Sequence, residues 1–515
     1  MISQDKKLLD TVKEYINEQV PHYIEEVSGS DRVIEHPLDA DVVAKLEKLV
    51  LQNDDDDFRI FIYINEIKEL WSLIIEKSIK CLRYFDSREP FLENESKHPV
   101  AYGVRELKDY FEKYTQFETM LYGGGKYYRD HVVHVFRVWL LGLECLLEDN
   151  GEYLKRINIQ KGVQTNSLEK ISIWSMIALT HDLGYPLEKA QEILEKTKDM
   201  MRSFVSNPTL SMDLSFNGIQ NNMNDFVVRF LSSKMHLVKK DNESGEDKTY
   251  VARLQPKYYF KFQKSLEGYN HGILSSIIIY KLLLYFLESD FSINEDYRFD
   301  EEEARQFYIR REILRTIASH TCKDVYHLDM LNFAFLLIMV DDAQEWGRKR
   351  ISELYNKKKS EYEFESITPK FETKTTIPNG EKIHVHSFVA KEQFTFSKED
   401  VSSLKEILSR LMGQCKGYEQ IFRDGQDTAR RNFVFEKDIK VKLEESKPVI
   451  FDVKFIISND ERQKFEIAVT AETQKAKKEY DISFLKSIFS KYEVEEIQND
   501  ITSKTSDVKR YEVKD

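Results

Sequence analysis

The sequence predicts a mainly α-helical protein with an N-terminal helical scaffold, an all-helical core and a C-terminal α+β domain. The spacing of apolar residues supports this fold class. They recur at helical intervals through most of residues 1–358, and they alternate with polar residues from about residue 360. We therefore expect an N-terminal region at 1–120, a core at 121–358 that carries an insertion at 205–268, and a C-terminal domain at 360–515.

The composition limits the classes of protein to which the chain can belong. With 515 residues, 41% of them hydrophobic, the chain can bury a large core. Its net charge of −13 argues against a protein held on nucleic acid by global charge, and its four cysteines lack the CxxC spacing. The N-terminus has no apolar signal core, and the longest apolar stretches are too short to span a bilayer. We expect a soluble cytoplasmic protein without a membrane partner.

Residues 1–120 are predicted to form a helical scaffold that packs on the core. The stretch 59–85 has the apolar pattern of a long buried helix. We find no motif with a chemical function in this region.

The core is organised around residues 174–190, with the sequence WSMIALTHDLGYPLEKA. An apolar helical run leads directly into His181 and Asp182 before Gly184 and Pro186 break it. Burying an imidazole beside a carboxylate costs solvation free energy, which a divalent cation offsets by binding both groups. A buried His–Asp hydrogen bond near a helix end is the alternative interpretation.

Six further candidate ligands lie in or near the ends of apolar helical segments. They are His131 and His134 near the start of a helix expected to begin at residue 129 or 130, His271 at the start of another helix, His320 at the end of a helix at 302–320, and the adjacent Asp341 and Asp342 in a helix expected at 328–351. Two neighbouring carboxylates after an apolar run are costly unless they are protonated, paired or bound to a metal. Each histidine alone could also be an ordinary core residue.

In chain order, these residues resemble the HD-domain metal-dependent phosphohydrolase superfamily. The family pattern is H…HD…D, with additional histidines in members that bind two metals. The segment HVFRV from His134 resembles the first motif, HDLGYP matches the doublet, and MVDDAQEW resembles the closing aspartate. The resemblance covers about residues 121–350 and implies an all-helical HD-domain core.

The resemblance also implies a centre for one or two divalent ions (Mn, Mg, Fe, Co or Zn). The implied ligands are His134, His181, Asp182, His271, His320 and Asp341. His134 is preferred over His131 because the following Arg-Val reproduces the family pattern. Asp341 is preferred over Asp342 because the segment MVD aligns best.

The implied activity is hydrolysis of a nucleotide or related phosphate ester by a metal-activated hydroxide. Asp182 would bridge the ions, and His131, one turn from His134, would act as the acid for the leaving group. A regulatory nucleotide- and metal-binding HD protein with little or no turnover is the main alternative, which the C-terminal domain favours. An oxygenase with a di-iron form of the same fold is the third hypothesis.

Basic and amide residues near these motifs are candidates for binding substrate phosphate. They are Lys126, Arg129, Gln344 and Arg348, together with Lys261 and Lys264 in the insertion. For each cation the alternative is a surface ion pair. Within the insertion, a short helix is expected at 226–238. The segment that contains the last two lysines is interpreted as a solvated surface, an edge strand or a substrate-covering lid. The expected partner is a small phosphate ester or nucleotide, and nucleic acid is not expected as a stable partner.

The C-terminal domain is predicted from alternating segments. Strands are expected at 381–390, 431–444, 447–457 and 464–472, with helices at 398–414 and 481–492. His384 and His386 share one strand face there and are interpreted as structural or surface residues.

Overall fold

The structure of the protein is a computed structural model. The residues that it describes are 4–27, 36–52, 60–86, 103–124, 130–159, 163–206, 208–209, 219–240, 248–287, 292–294, 296–322, 324–325, 330–348, 360–375, 382–421, 433–458, 464–497 and 508–514. They belong to two compact units. The first comprises the described parts of Met1–Gly124, Asp130–Val325 and Leu331–Val340, and the second contains those of Asp341–Asp515.

Among the residues of the first unit that the structure describes, the regular elements are helices and one hairpin. Its elements are α1 (Gln4–Val27), α2 (Ala40–Gln52), α3 (Ile60–Asp86), α4 (Val104–Gly124), α5 (Val132–Arg156), α6 (Ser167–Thr180), α7 (Tyr185–Met201), α8 (Ile219–Ser232), β1 (Ser233–Lys240), β2 (Lys248–Leu254), α9 (Pro256–Glu267), α10 (His271–Leu282), α11 (Leu284–Leu287) and α12 (Glu301–Ser319). Helix α13 (Phe333–Ala343) belongs to this unit as far as Val340. No helix among the described residues is long and apolar enough to cross a membrane.

Helix α6 lies in the interior of the first unit. Every residue from Leu168 to Thr180 is buried, and most of the residues from Ile171 onward are apolar, as expected for an interior helix. A capping box between Asn166 and Glu169 fixes its N-terminus. Helices α3, α5 and α12 pack around α6, so the residues that follow Thr180 also lie in the interior.

The insertion contains more regular structure than the sequence predicted. The short helix expected across 226–238 ends at Ser232, because the next eight residues pair with β2 as an antiparallel hairpin. The lysine-rich segment, expected as an edge strand, a solvated surface or a lid, is helix α9. Pro256 stands at its start, and Phe262 and Ser265, three residues apart, are its buried face.

Two helix boundaries also differ from the prediction. Helix α13 was expected across 328–351, but it begins at Phe333, where the Asn332 side chain accepts a hydrogen bond from the Phe335 amide (2.8 Å). Helix α5 was expected to begin near residue 129 or 130, and it begins at Val132. Asp130 still accepts a hydrogen bond from the Val133 amide (3.2 Å), as a residue at a helix start does.

The second unit is built on a seven-stranded sheet in the order β3-β4-β5-β6-β7-β9-β8. Its elements are β3 (Ser360–Thr375), β4 (Lys382–Ser397), a short 3-10 turn (Lys398–Asp400), α14 (Val401–Ile421), β5 (Phe433–Glu444), β6 (Val449–Ser458), β7 (Lys464–Thr470), α15 (Gln474–Glu479), α16 (Ile482–Ile488), β8 (Glu493–Ile497) and β9 (Val508–Lys514). Among the described strands, β4 and β5 alone run parallel, and α14 connects them.

The predicted period-two pattern is confirmed in this sheet. Alternate residues of β5, including Phe433, Phe435 and Ile439, are buried. Strands β3, β8 and β9 were not predicted. The protein is therefore mostly helical with a C-terminal mixed sheet, which is the layout that the sequence predicted at this level.

Candidate metal centre

The His181–Asp182 pair directly follows the last residue of α6, and both side chains are buried. Ring atom Nδ1 of His181 donates to the carbonyl oxygen of Ala178 (2.8 Å). Because a carbonyl oxygen can only accept, this bond places the proton on Nδ1 and leaves Nε2 as the nitrogen that can bind a cation.

His271 and His320 have the same arrangement on two other helices. Nδ1 of His320 donates to the carbonyl oxygen of Ile317 (2.6 Å), and Nδ1 of His271 donates to the carboxylate of Glu188 (2.8 Å). In both rings Nε2 is again the nitrogen that can bind a cation, and these two Nε2 atoms are 3.1 Å apart.

Two glycines allow these helices to approach so closely. A Cβ atom on Gly184 would lie 2.4 Å from the carbonyl oxygen of His271, and one on Gly272 would lie 2.6 Å from that of Ile317. Ser275 adds a direct link, because its hydroxyl donates to the carbonyl oxygen of His181 (2.6 Å). The turn after the doublet therefore packs directly on α10, and α10 packs directly on α12.

Asp182 faces an imidazole pair with each of its two oxygens. Oδ2 is 3.7 Å from Nε2 of His134 and 3.6 Å from Nε2 of His181. Oδ1 is 3.3 Å from Nε2 of His271 and 3.8 Å from Nε2 of His320. The structure thus places the imidazoles of four predicted ligands around the carboxylate of a fifth.

The electrostatics of this cluster favour a bound cation. Burial alone would raise the pKa of Asp182, but the surrounding imidazoles hold it well below its usual range. Burial lowers the pKa of His271, yet its bonds to Asp182 and Glu188 outweigh that effect and raise it to about 10. Positive charge is therefore stabilised where the carboxylates and imidazoles meet.

The donor set fits a divalent metal. Two ligand atoms held by one ion at about 2.1 Å and tetrahedral angles lie about 3.4 Å apart, and the four oxygen-to-nitrogen distances lie between 3.3 and 3.8 Å. The ligand atoms of His134, His181 and Asp182 lie within 4.8 Å of one another, as do those of Asp182, His271 and His320. These buried groups could hold a metal ion.

His131, the predicted acid, lies beside the cluster. Its ring centroid is 6.2 Å from that of His134. His134 belongs to the group of potential ligands described above. The choice of His134 over His131 as the ligand stays a prediction.

Asp342, the alternative to Asp341, is engaged within the second unit. Its carboxylate accepts hydrogen bonds from Gln414 (2.6 Å) and Tyr418 (2.9 Å), and it forms an ion pair with buried Lys437 (3.0 Å). Neighbouring helical residues point about 100° apart, so Asp341 leaves the helix in another direction. The assignment of Asp341 as a ligand stays a prediction.

The predicted phosphate-binding residues lie in different places. Lys126 and Arg129 fall outside the described residues. Lys261 donates to the carbonyl oxygen of Asp324, and Lys264 lies 3.5 Å from the carboxylate of the same residue. Gln344 and Arg348 belong to the second unit, where the buried Gln344 amide donates to the carbonyl oxygen of Trp346 (2.8 Å). Their roles toward substrate stay predictions.

Sequence reasoning missed Glu188, which lies in the first turn of α7. Its carboxylate accepts hydrogen bonds from both Nδ1 and the backbone amide of His271, each at 2.8 Å. A carboxylate behind a metal-binding histidine orients the ring and strengthens it as a ligand. The available signal was an acidic residue one helical turn beyond the doublet motif.

An open groove of about 450 Å³ adjoins the cluster through Glu188, which belongs to both. Its lining includes Glu192, Glu195 and Asp199, with Lys196 as the one basic residue. An anionic ester approaching here would meet repulsion unless bound cations offset the negative charge.

Comparison with family models, with curated proteins and with solved structures finds no match to this chain.

Proposed function

We propose that the protein is a metal-dependent phosphohydrolase that acts on a nucleotide or a related phosphate ester. The observation that carries the proposal is the division of four imidazoles between the two oxygens of Asp182. A carboxylate placed in this way is suited to bridge two cations, and paired cations are typical of enzymes that cleave phosphate esters.

The placement of two imidazoles beside each oxygen of Asp182 supports two cation positions. His134, His181 and Oδ2 of Asp182 would hold one ion, and His271, His320 and Oδ1 of Asp182 would hold the other. Asp341 is the further ligand that the sequence predicts. When bound, the ions would activate water at neutral pH and offset the charge on the phosphoryl oxygens.

The protein groups have separate tasks in this proposal. The Nδ1 bonds to Ala178, Ile317 and Glu188 hold the histidine rings in orientation before any ligand arrives. Such preorganisation lowers the free energy needed to assemble the centre. His131, beside the cluster, is the group that would supply a proton to the leaving oxygen.

A regulatory protein that binds metal and nucleotide with little turnover is the second candidate. The second unit favours it, because a sheet with its own buried core and a buried Lys437–Glu392 ion pair (2.7 Å) is not needed for hydrolysis. Such a protein would bind the same ions and nucleotides, but product would not accumulate.

A screen of nucleotides and generic phosphate esters with Mn²⁺-loaded protein tests the proposal. We expect at least one class to be hydrolysed, and Asp182→Ala to abolish both metal binding and hydrolysis. Asp41→Ala is the matched control, because Asp41 is exposed in the first turn of α2, where it lies 3.6 Å from Lys77. Full metal content and activity in the Asp182 variant would overturn the assignment. Binding without turnover in the parent would favour the regulatory alternative.

A further inference from the structure

A buried carboxylate from α4 holds His131. Oε1 of Glu118 accepts a hydrogen bond from the backbone amide of His131 (2.6 Å) and lies 3.3 Å from Nδ1 of its ring. Both side chains are almost completely buried, with 7% of the Glu118 side chain and 5% of the His131 side chain exposed. Since a carboxylate accepts and does not donate, this contact places a proton on Nδ1 and turns Nε2 away from Glu118.

The ring of His131 is also held by Tyr185, the first residue of α7. The two rings stack with their centroids 3.7 Å apart and their planes inclined by 29°. Tyr185 in turn meets the ring of His271 edge to face at 5.5 Å. His131 is therefore fixed on one edge by a carboxylate and on one face by an aromatic ring that also contacts a predicted metal ligand.

The contact between Glu118 and the imidazole is more than a helix cap. Helix α5 already has a carboxylate at its start, because Asp130 accepts a hydrogen bond from the Val133 amide (3.2 Å). A cap also needs only a backbone amide, whereas Glu118 contacts both the amide and the ring of the same histidine. The ring contact determines which nitrogen carries the proton, and it leaves Nε2 facing away from Glu118.

We propose that Glu118 and Tyr185 are positioning residues that hold His131 ready to protonate the leaving group. This inference rests on the proposed phosphohydrolase function. Water oxygen bonds to phosphorus as the bond from phosphorus to the leaving oxygen breaks, and that oxygen takes the Nε2 proton of His131. The proton released by water passes to solvent, and solvent returns a proton to Nε2. The Nδ1 proton stays on the His131 ring throughout, hydrogen-bonded to Glu118. General acid catalysis of this kind contributes about 100-fold or more.

Two esters separate this role from general damage to the site. A 4-nitrophenyl phosphate ester has a leaving group that departs without a proton, whereas the corresponding phenyl ester needs one. With Mn²⁺-loaded protein, we expect His131→Ala to lower kcat on the phenyl ester about 100-fold and Glu118→Gln to lower it about 10-fold. On the 4-nitrophenyl ester, both variants should stay within about threefold of the parent. The double variant should be no slower than His131→Ala alone.

Glu112→Gln is the matched control. Glu112 lies on the same helix as Glu118, but it pairs with Lys68 at the surface (2.8 Å) and should leave both rates unchanged. Equal losses on the two esters, or multiplied losses in the double variant, would overturn the inference while leaving the phosphohydrolase proposal intact. A parent that hydrolyses neither these esters nor any nucleotide would overturn both.

A spectroscopic measurement tests the positioning without activity. In protein labelled with ¹⁵N-histidine, we expect the His131 signal, identified by its loss in His131→Ala, to show a proton on Nδ1. Glu118→Gln should shift that signal toward a mixture of tautomers, and Glu112→Gln should not. A proton on Nε2 alone in the parent, or no change in Glu118→Gln, would overturn the role of Glu118.

Discussion

Removing the charge of Glu188 should weaken one of the two proposed cation positions and leave the other intact. Its carboxylate accepts from Nδ1 and from the backbone amide of His271, each at 2.8 Å. In Glu188→Gln, one amide oxygen remains to accept, but the charge that strengthens these bonds is gone. Losing such an outer partner typically costs about 10-fold to 100-fold in metal affinity, or roughly 1.4 to 2.8 kcal/mol. The assay is calorimetric titration of metal-free protein with Mn²⁺, in which one of two binding events should weaken.

Glu192→Gln is the control for this titration. Glu192 lies one turn further along α7 and pairs with Lys189 near the surface (2.8 Å), so its removal should not change either binding event. Unchanged Mn²⁺ affinity in Glu188→Gln, or an equal loss in both variants, would refute the argument that Glu188 supports His271 as a ligand.

Three further predictions concern stability. Asp5→Ala should lower the free energy of unfolding by about 3 to 5 kcal/mol in urea titrations. The substitution removes the carboxylate that the buried Arg137 guanidinium contacts at 2.6 Å. A loss under about 1 kcal/mol would contradict this prediction. Burial and a neighbouring carboxylate raise the pKa of Glu144 from 4.5 to about 7, so its contribution to stability is lost as pH rises through that range. Glu144→Gln should therefore stabilise the protein by about 1 kcal/mol at pH 8 and by little near pH 5, and equal effects at both pH values would refute the shift. Gly142→Ala should destabilise by about 3 kcal/mol in a thermal melt, because its Cβ would lie 1.9 Å from the buried Trp174 ring; an unchanged melting temperature would contradict that packing.

The elements that the sequence predicted best are those whose secondary structure is determined by their own residues. Helix α6 is apolar along most of its length from Ile171 onward, and the sequence pattern and the burial agree there. In strands β5, β6 and β7, alternate side chains are buried over most of each strand, as the sequence pattern predicts.

The elements that the sequence missed depend on partners far along the chain. Strand β3 contains Pro369 and no clean alternation, and its pairing with β4 from Ser360 to Thr375 determines its structure. The local sequence of helix α9 has a pattern typical of a strand, because lysines alternate with aromatic residues. Its Pro256 start and the burial of Phe262 favour a helix instead.

The residues of the candidate site also fall into those that the sequence predicted and those that it missed. Histidine is rare in this chain, with 12 residues, so an ordered set of buried histidines beside aspartates stands out in the sequence. Glu118 and Glu188 are two of 89 acidic residues. Nothing in the local sequence marks Glu118, and Glu188 is marked only by its place one helical turn beyond the doublet motif. Their roles depend on which imidazole nitrogen each one faces, and that follows only from the folded helices.

The number of metal ions bound per chain tests the central claim most directly. After loading with Mn²⁺ and removal of excess metal, elemental analysis of the parent should give two ions per chain. His320→Ala should retain one ion, since His134, His181 and Oδ2 of Asp182 remain together, and Asp182→Ala should retain none. A single ion in the parent that persists unchanged in His320→Ala, or two ions in Asp182→Ala, would contradict a centre in which Asp182 joins two pairs of histidines.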